Sequence, residues 1–158
     1  MRNLQWLAFT GILVAALAEP AMAGGDLSRQ SPVEVVVELG RPGQHVFHPH
    51  QLRLETGKLY KLVLRNPSND PHYFTSHAFT QLIYTRKVQV VQERGGQMAP
   101  LAEFKGAIRE IEVYPGQTAE WWFVPVATGR VTDLRCGIVG TDGKSHADHG
   151  MVGEIVIE

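Results

Sequence analysis

The chain has 158 residues, 15 Lys and Arg against 16 Asp and Glu, a formal charge of −1 and 44% hydrophobic residues. That length suits one domain with a real hydrophobic core. The near-neutral balance gives no reason to expect nucleic acid or an anionic membrane surface as a partner.

Residues 1–23 read as a secretory signal: Met1-Arg2-Asn3 is a short positive start, Leu4 to Ala18 is largely apolar, and Ala21-Met22-Ala23 is a small-x-small cleavage site before Gly24. A membrane anchor is the alternative, but the apolar stretch is short for a span and Glu19-Pro20 interrupts it. The remainder, residues 24–158, is expected to form a single domain. It contains one cysteine, Cys136, so no internal disulfide is available. A free thiol in an oxidising compartment is a liability unless it is buried, paired between chains or bound to something.

The rest reads as strands separated by turns. Val33 to Leu39 is rich in β-branched residues and ends at Gly40-Arg41-Pro42-Gly43. Phe47 to Glu55 carries Leu52 and Leu54 at period two, and Leu59 to Leu64 forms the next strand. That strand stops in Asn66-Pro67-Ser68-Asn69-Asp70-Pro71, whose prolines cannot sit inside a sheet, and the loop delivers His72. From Phe79 to Gly106 the pattern is weakest; Leu82 to Gln92 reads as a strand or a short helix plus strand, Gly95-Gly96 as a flexible break, and the segment as an insertion between two halves. Ile108 to Val113, Thr118 to Val126, Val131 to Cys136 and Gly153 to Glu158 are further strands, with turns at Tyr114-Pro115-Gly116-Gln117 and Thr128-Gly129-Arg130. Short strands at this spacing predict an all-β sandwich.

Ligand chemistry is concentrated between Cys136 and Met151. A thiolate, an imidazole and a thioether on one loop form a soft N/S donor set suited to the Cu(I)/Cu(II) pair. His72 is the best second imidazole, because it follows a rigid Pro-rich loop and precedes Tyr73-Phe74, which can hold the ring. His77 lies in the same region and is its substitute. Between His146 and His149, the former stands five residues before Met151 and the latter only two, too close for both side chains to wrap one ion easily. His146-x-x-His149 with Cys136 and His72 also has zinc-like spacing, but zinc does not ordinarily recruit a thioether. His45, His48 and His50 read either as solvated histidines on a strand edge or as a second, weaker metal site. Trp121-Trp122-Phe123 reads as core. No hydrolase-like nucleophile, phosphate-binding glycine loop or paired carboxylates stand out, and a single coordinatively filled site argues against an enzyme.

These residues give the chain a resemblance to the cupredoxins, in particular the exported bacterial plastocyanin- and azurin-like copper proteins. It rests on Phe47-x-Pro49, Leu52, Leu54, Gly57, Asn66, His72 and Phe74, then Val113-x-Pro115-Gly116, Phe123, Pro125, Gly129, Cys136, His146 and Gly150-Met151-x-Gly153. The resemblance implies a Greek-key β-sandwich with one copper ion at one end, held by His72, Cys136, His146 and Met151. It implies one-electron transfer in the periplasm, with the His146 edge nearest solvent and a redox protein, cytochrome or oxidase-like, as partner. Copper binding, storage or delivery, with a copper-trafficking partner, and a metal-free interaction domain are the other expectations. Nine residues separate Cys136 from His146, more than is usual in the family, so the sequence leaves the geometry of the site open though not its ligand types.

Overall fold

A computed structural model describes residues 29–158, and the signal-peptide reading of residues 1–23 lies outside them. The strands are β1 (Val33–Arg41), β2 (Gln44–His48), β3 (Gln51–Leu54), β4 (Tyr60–Arg65), β5 (His72–Thr75), β6 (Ile83–Arg94), β7 (Gln97–Phe104), β8 (Glu110–Val113), β9 (Thr118–Pro125), β10 (Gly129–Arg135) and β11 (Val152–Ile157). One short helix, α1 (His77–Gln81), joins β5 to β6. Two sheets form, ordered β2-β1-β4-β9-β6-β7 and β3-β11-β10-β5-β8. Both are mixed: β1 runs parallel to β4 and β3 parallel to β11, while the other neighbours are antiparallel. The result is a β-sandwich of the cupredoxin type. Among the described residues no helix is long and apolar enough to cross a membrane.

Period-two alternation builds the core. Leu52 and Leu54 of β3 point inward while Gln51 and Arg53 point out, and Trp121 and Phe123 of β9 are buried on either side of the partly exposed Trp122. Trp121 and Phe123 meet Phe74 and Phe79 edge to face, with ring centroids 5.2–6.4 Å apart. Trp122 instead lies on the outer face, where Lys87 Nζ sits 4.9 Å from its ring centroid.

Two segments differ from the expectation. The run from Phe47 to Glu55 is two strands in different sheets, because Pro49 has no N–H for the ladder and the chain crosses over there. The segment from Phe79 to Gly106 is built into the sandwich: β6 pairs with β9 from Ile83↔Pro125 to Val91↔Thr118, and with β7 on its other side. Its apolar alternation is interrupted at Gln89, which is buried and donates to Glu120 Oε2 at 2.7 Å.

The only α-helix among the described residues is started by Ser76, whose Oγ accepts from Phe79 N at 3.1 Å and is itself bonded to the Asp133 carboxylate of β10. Asp133 also accepts from Ala78 N at 2.9 Å, which ties the helix to β10. Ser76→Ala removes the cap and the cross-tie, and should lower the unfolding free energy by about 1–2 kcal/mol in urea denaturation. No change in the midpoint would contradict this role.

Candidate metal centre

The site lies at one end of the five-stranded sheet, where Cys136 follows β10, β5 begins with His72 and β11 follows Met151. Arg135 pairs with Thr75 on one side and Val152 on the other, so the three strand ends converge.

His72 is fixed by the loop before it. Asn66 is buried; its amide donates to Asp70 O and Val113 O, each at 2.7 Å, and its carbonyl oxygen accepts from Ser68 N at 2.9 Å and Ser68 Oγ at 2.8 Å. Ser68 Oγ stands 2.9 Å from His72 Nε2. Its other side-chain contacts, Asn66 Oδ1 and Asp70 O, are acceptors that use its single proton. It therefore accepts from His72 Nε2–H, and the network assigns a free lone pair to His72 Nδ1. Gly40 of β1 packs against the same Nε2 edge as Ser68: at φ +75° its backbone favours glycine, and a Cβ there would lie 2.3 Å from His72 Nε2 and 2.9 Å from the Ser68 Cβ.

The nine residues between Cys136 and His146 fold back on themselves. Val139 and Ser145 form a β-bridge, Gly140 N donates to Lys144 O at 2.8 Å, and His146 N donates to Ile138 O at 2.8 Å. Ala147 N then reaches Cys136 O at 3.0 Å, so the excursion closes where it began. Ser145 and Asp148 cap the following turn reciprocally: Ser145 N donates to Asp148 Oδ2 at 2.8 Å and Asp148 N to Ser145 Oγ at 3.1 Å. The turn ends in a Schellman motif, with Gly150 N on Ala147 O at 3.0 Å, Met151 N on His146 O at 2.9 Å and Gly150 at φ +97°. The five-residue spacing from His146 to Met151 is the length of that motif. Cys136 N donates to Met151 O at 3.1 Å and completes the ring of backbone bonds.

Three donor atoms meet inside. His72 Nδ1 and His146 Nδ1 are 3.1 Å apart, and Cys136 Sγ lies 3.5 Å from His146 Nδ1 and 3.9 Å from His72 Nδ1. Donors bound at about 2.0–2.3 Å around one ion in a plane stand roughly 3–4 Å from one another. The triangle therefore fits a metal ion without rearrangement. Tyr73 N donates to Cys136 Sγ at 3.3 Å, a bond that favours the thiolate. Met151 is fully buried, as are His72 and Cys136, and His146 is 3% exposed.

The structure sorts the other histidines. His149 is exposed and pairs with Asp142 Oδ2 at 2.8 Å, away from the triangle. His77 opens α1 on the surface, and His48 and His50 are exposed. His45, grouped with those two by the sequence, belongs instead with the centre. Its ring stacks on His146 at 3.9 Å and 18°, and the ligand atoms of His45, His72 and His146 lie within 4.8 Å of one another. Strand parity carries the signal: His45 shares a face of β2 with buried Phe47, whereas His48 lies on the other face. His72, Cys136 and His146, with His45 beside them and Met151 next on the loop, thus form a potential copper site.

Burial sets the protonation. The His72 pKa is lowered to about 4, first by desolvation and then by the neighbouring His146 and His45. His146 is lowered as well, again chiefly by burial, and burial raises the Cys136 thiol. The metal-free centre thus holds neutral imidazoles and a thiol, and loading a metal displaces the thiol proton.

No model of a known protein family matches the chain, and no curated protein matches it. Among solved structures, a multicopper oxidase from Campylobacter jejuni aligns over 81% of this chain at a TM-score of 0.55 and 16% identity. A multicopper oxidase from Aquifex aeolicus aligns over 81% at 0.53 and 13%. The chain spans only 30% of the length of each. Auracyanin A, a "blue" copper protein from Chloroflexus aurantiacus, matches more loosely at a TM-score of 0.47 and 14% identity, over 81% of this chain and all of its own. At these identities the two oxidase matches speak to architecture alone, and with the strand order above they define the class: the chain has the cupredoxin fold.

The buried imidazoles have a consequence for the metal-free protein. The unfolded chain takes up protons below its usual histidine pKa of about 6.5, whereas native His72 resists them until about 4. The unfolded state therefore binds more protons across that window, and native stability falls as the pH drops through it. Urea unfolding of chelator-treated protein should show a midpoint that is level just above pH 6.5 and declines towards pH 4. A midpoint that rises on acidification would contradict the assignment.

Proposed function

We propose that the chain is an exported, periplasmic mononuclear copper protein that carries single electrons, with His72, Cys136 and His146 as strong ligands and Met151 as a weak axial one. The observation that carries this reading is the buried Nδ1, Nδ1, Sγ triangle, with edges of 3.1, 3.5 and 3.9 Å. Copper bound there supplies a one-electron Cu(I)/Cu(II) couple. The protein's part is to hold the donors at fixed separations, because a carrier works best when its ligands move little between oxidation states. Asn66 and Ser68 immobilise His72, and the Schellman turn immobilises His146 against Met151. A thioether beside a thiolate selects copper over zinc.

His146 is the least deeply buried of the four proposed ligands, as the family resemblance implies, and His45 lies over it. The His146 ring is 3% exposed and covered by His45, so a redox partner, cytochrome or oxidase-like, would approach through the surface around His45 and His149. A second reading, copper binding and delivery to a trafficking protein, is favoured by that same third imidazole, which a carrier site does not require. On either reading the chain's own part is to hold the ion and pass on an electron or the ion itself.

Addition of Cu(II) to the metal-free protein should produce an intense thiolate-to-copper absorption band. Cys136→Ser should abolish it, His146→Ala should abolish or grossly alter it, and His149→Ala should leave it nearly intact. A band that survives Cys136→Ser would remove the proposed site. Reversible redox cycling without metal loss supports the carrier, whereas ready transfer to a chelator supports delivery.

A further inference from the structure

His45 stands between the surface and the buried donors. Its ring centroid is 3.9 Å from that of His146, 5.7 Å from that of His72 and 5.7 Å from that of the exposed His149. The residue is half-buried on edge strand β2, yet its Nδ1 is fully enclosed and has no hydrogen-bond partner. An unpaired buried ring nitrogen is destabilising.

Its orientation excludes a resident role. An imidazole lone pair lies in the plane of its ring, and the His45 ring is nearly parallel to that of His146 at 18° with its centroid 3.9 Å away. In this rotamer the lone pair of His45 therefore runs alongside that of His146, and the two would not converge on one ion. A turn of the side chain would bring the nitrogen round, since its ligand atom is already within 4.8 Å of those of His72 and His146. No hydrogen bond holds Nδ1 against such a turn.

We infer that His45 is a transit ligand: it takes a copper ion arriving from the His149 side, passes it to His72, Cys136 and His146, and swings back onto His146. This rests on the copper reading above and adds a loading path to it. No redox change is needed: His45 would be replaced as ligand by His72, His146 and Cys136, and the Cys136 proton leaves to solvent. A ligand used only in transit changes uptake and release by the same factor and leaves affinity unaltered, because it is bound in neither end state.

The experiment follows Cu(II) uptake by chelator-treated protein in stopped flow, read by growth of the thiolate-to-copper band, and release to a chelator. His45→Phe keeps a stacked cover but has no donor, and His45→Ala removes both. The inference expects both variants to load and unload at least tenfold more slowly, with the final spectrum and equilibrium affinity unchanged. Unchanged loading in His45→Phe, or faster loading in His45→Ala, would make His45 a mere cover and overturn it. A changed final spectrum or affinity would make it a resident ligand and overturn it equally. If the unsubstituted protein gives no band, the copper reading fails and this inference with it; a normal band with unaltered kinetics sinks this inference alone.

Discussion

Two backbone hydrogen bonds at Cys136 govern the rest of the site. Its N–H on Met151 O at 3.1 Å extends the β10–β11 pairing one residue past Arg135↔Val152, and its carbonyl accepts from Ala147 N at 3.0 Å, which brings the end of the excursion back to its start. They clamp the two ends of the ligand loop together whatever lies between. The nine-residue separation from His146 is therefore absorbed by a small hairpin outside the clamp, and the imidazole returns beside the thiol as it would on a short loop. Stability of the sandwich and geometry of the centre are thereby coupled, since one ladder serves both.

The centre stands against the fold's own interest. Two imidazoles and a thiol are desolvated where aliphatic side chains would pack without polar atoms, and His45 adds a buried nitrogen with no partner. Such sites are kept for function and are offset elsewhere. Here the offset is the aromatic and aliphatic core from Phe74 to Trp121 and Phe123, together with the Asn66 network, which satisfies the Pro-rich loop and orients His72 at once. Asn66 also exchanges backbone bonds with Gln117 and Gly116, so the loop before β5 is pinned to the turn before β9.

Much of this was legible in the residues. Period-two apolar residues such as Leu52 and Leu54 of β3, and turns marked by Gly and Pro, are legible directly because alternation and missing N–H groups are local properties, whereas Trp121-Trp122-Phe123 reads as one core block although Trp122 faces outward. β6 was obscured by Gln89, whose buried amide is satisfied by Glu120 from a strand far along the chain. The grouping of His72, Cys136 and His146 followed from ligand types and spacing, which a Schellman turn converts into geometry. The fold of the intervening hairpin did not follow, since its closure depends on a β-bridge between Val139 and Ser145 that no periodicity announces. His45 groups with His48 and His50 by proximity in sequence for a related reason: its parity with Phe47 is a local signal, but the neighbour it stacks on is 101 positions away.

X-ray absorption at the copper edge of the loaded protein tests the central claim most directly, because it counts the atoms around the ion without relying on colour. The account predicts one short copper–sulfur vector together with two imidazole nitrogens in the first shell. A first shell of nitrogen and oxygen alone, or of three imidazoles without a short sulfur, would contradict it.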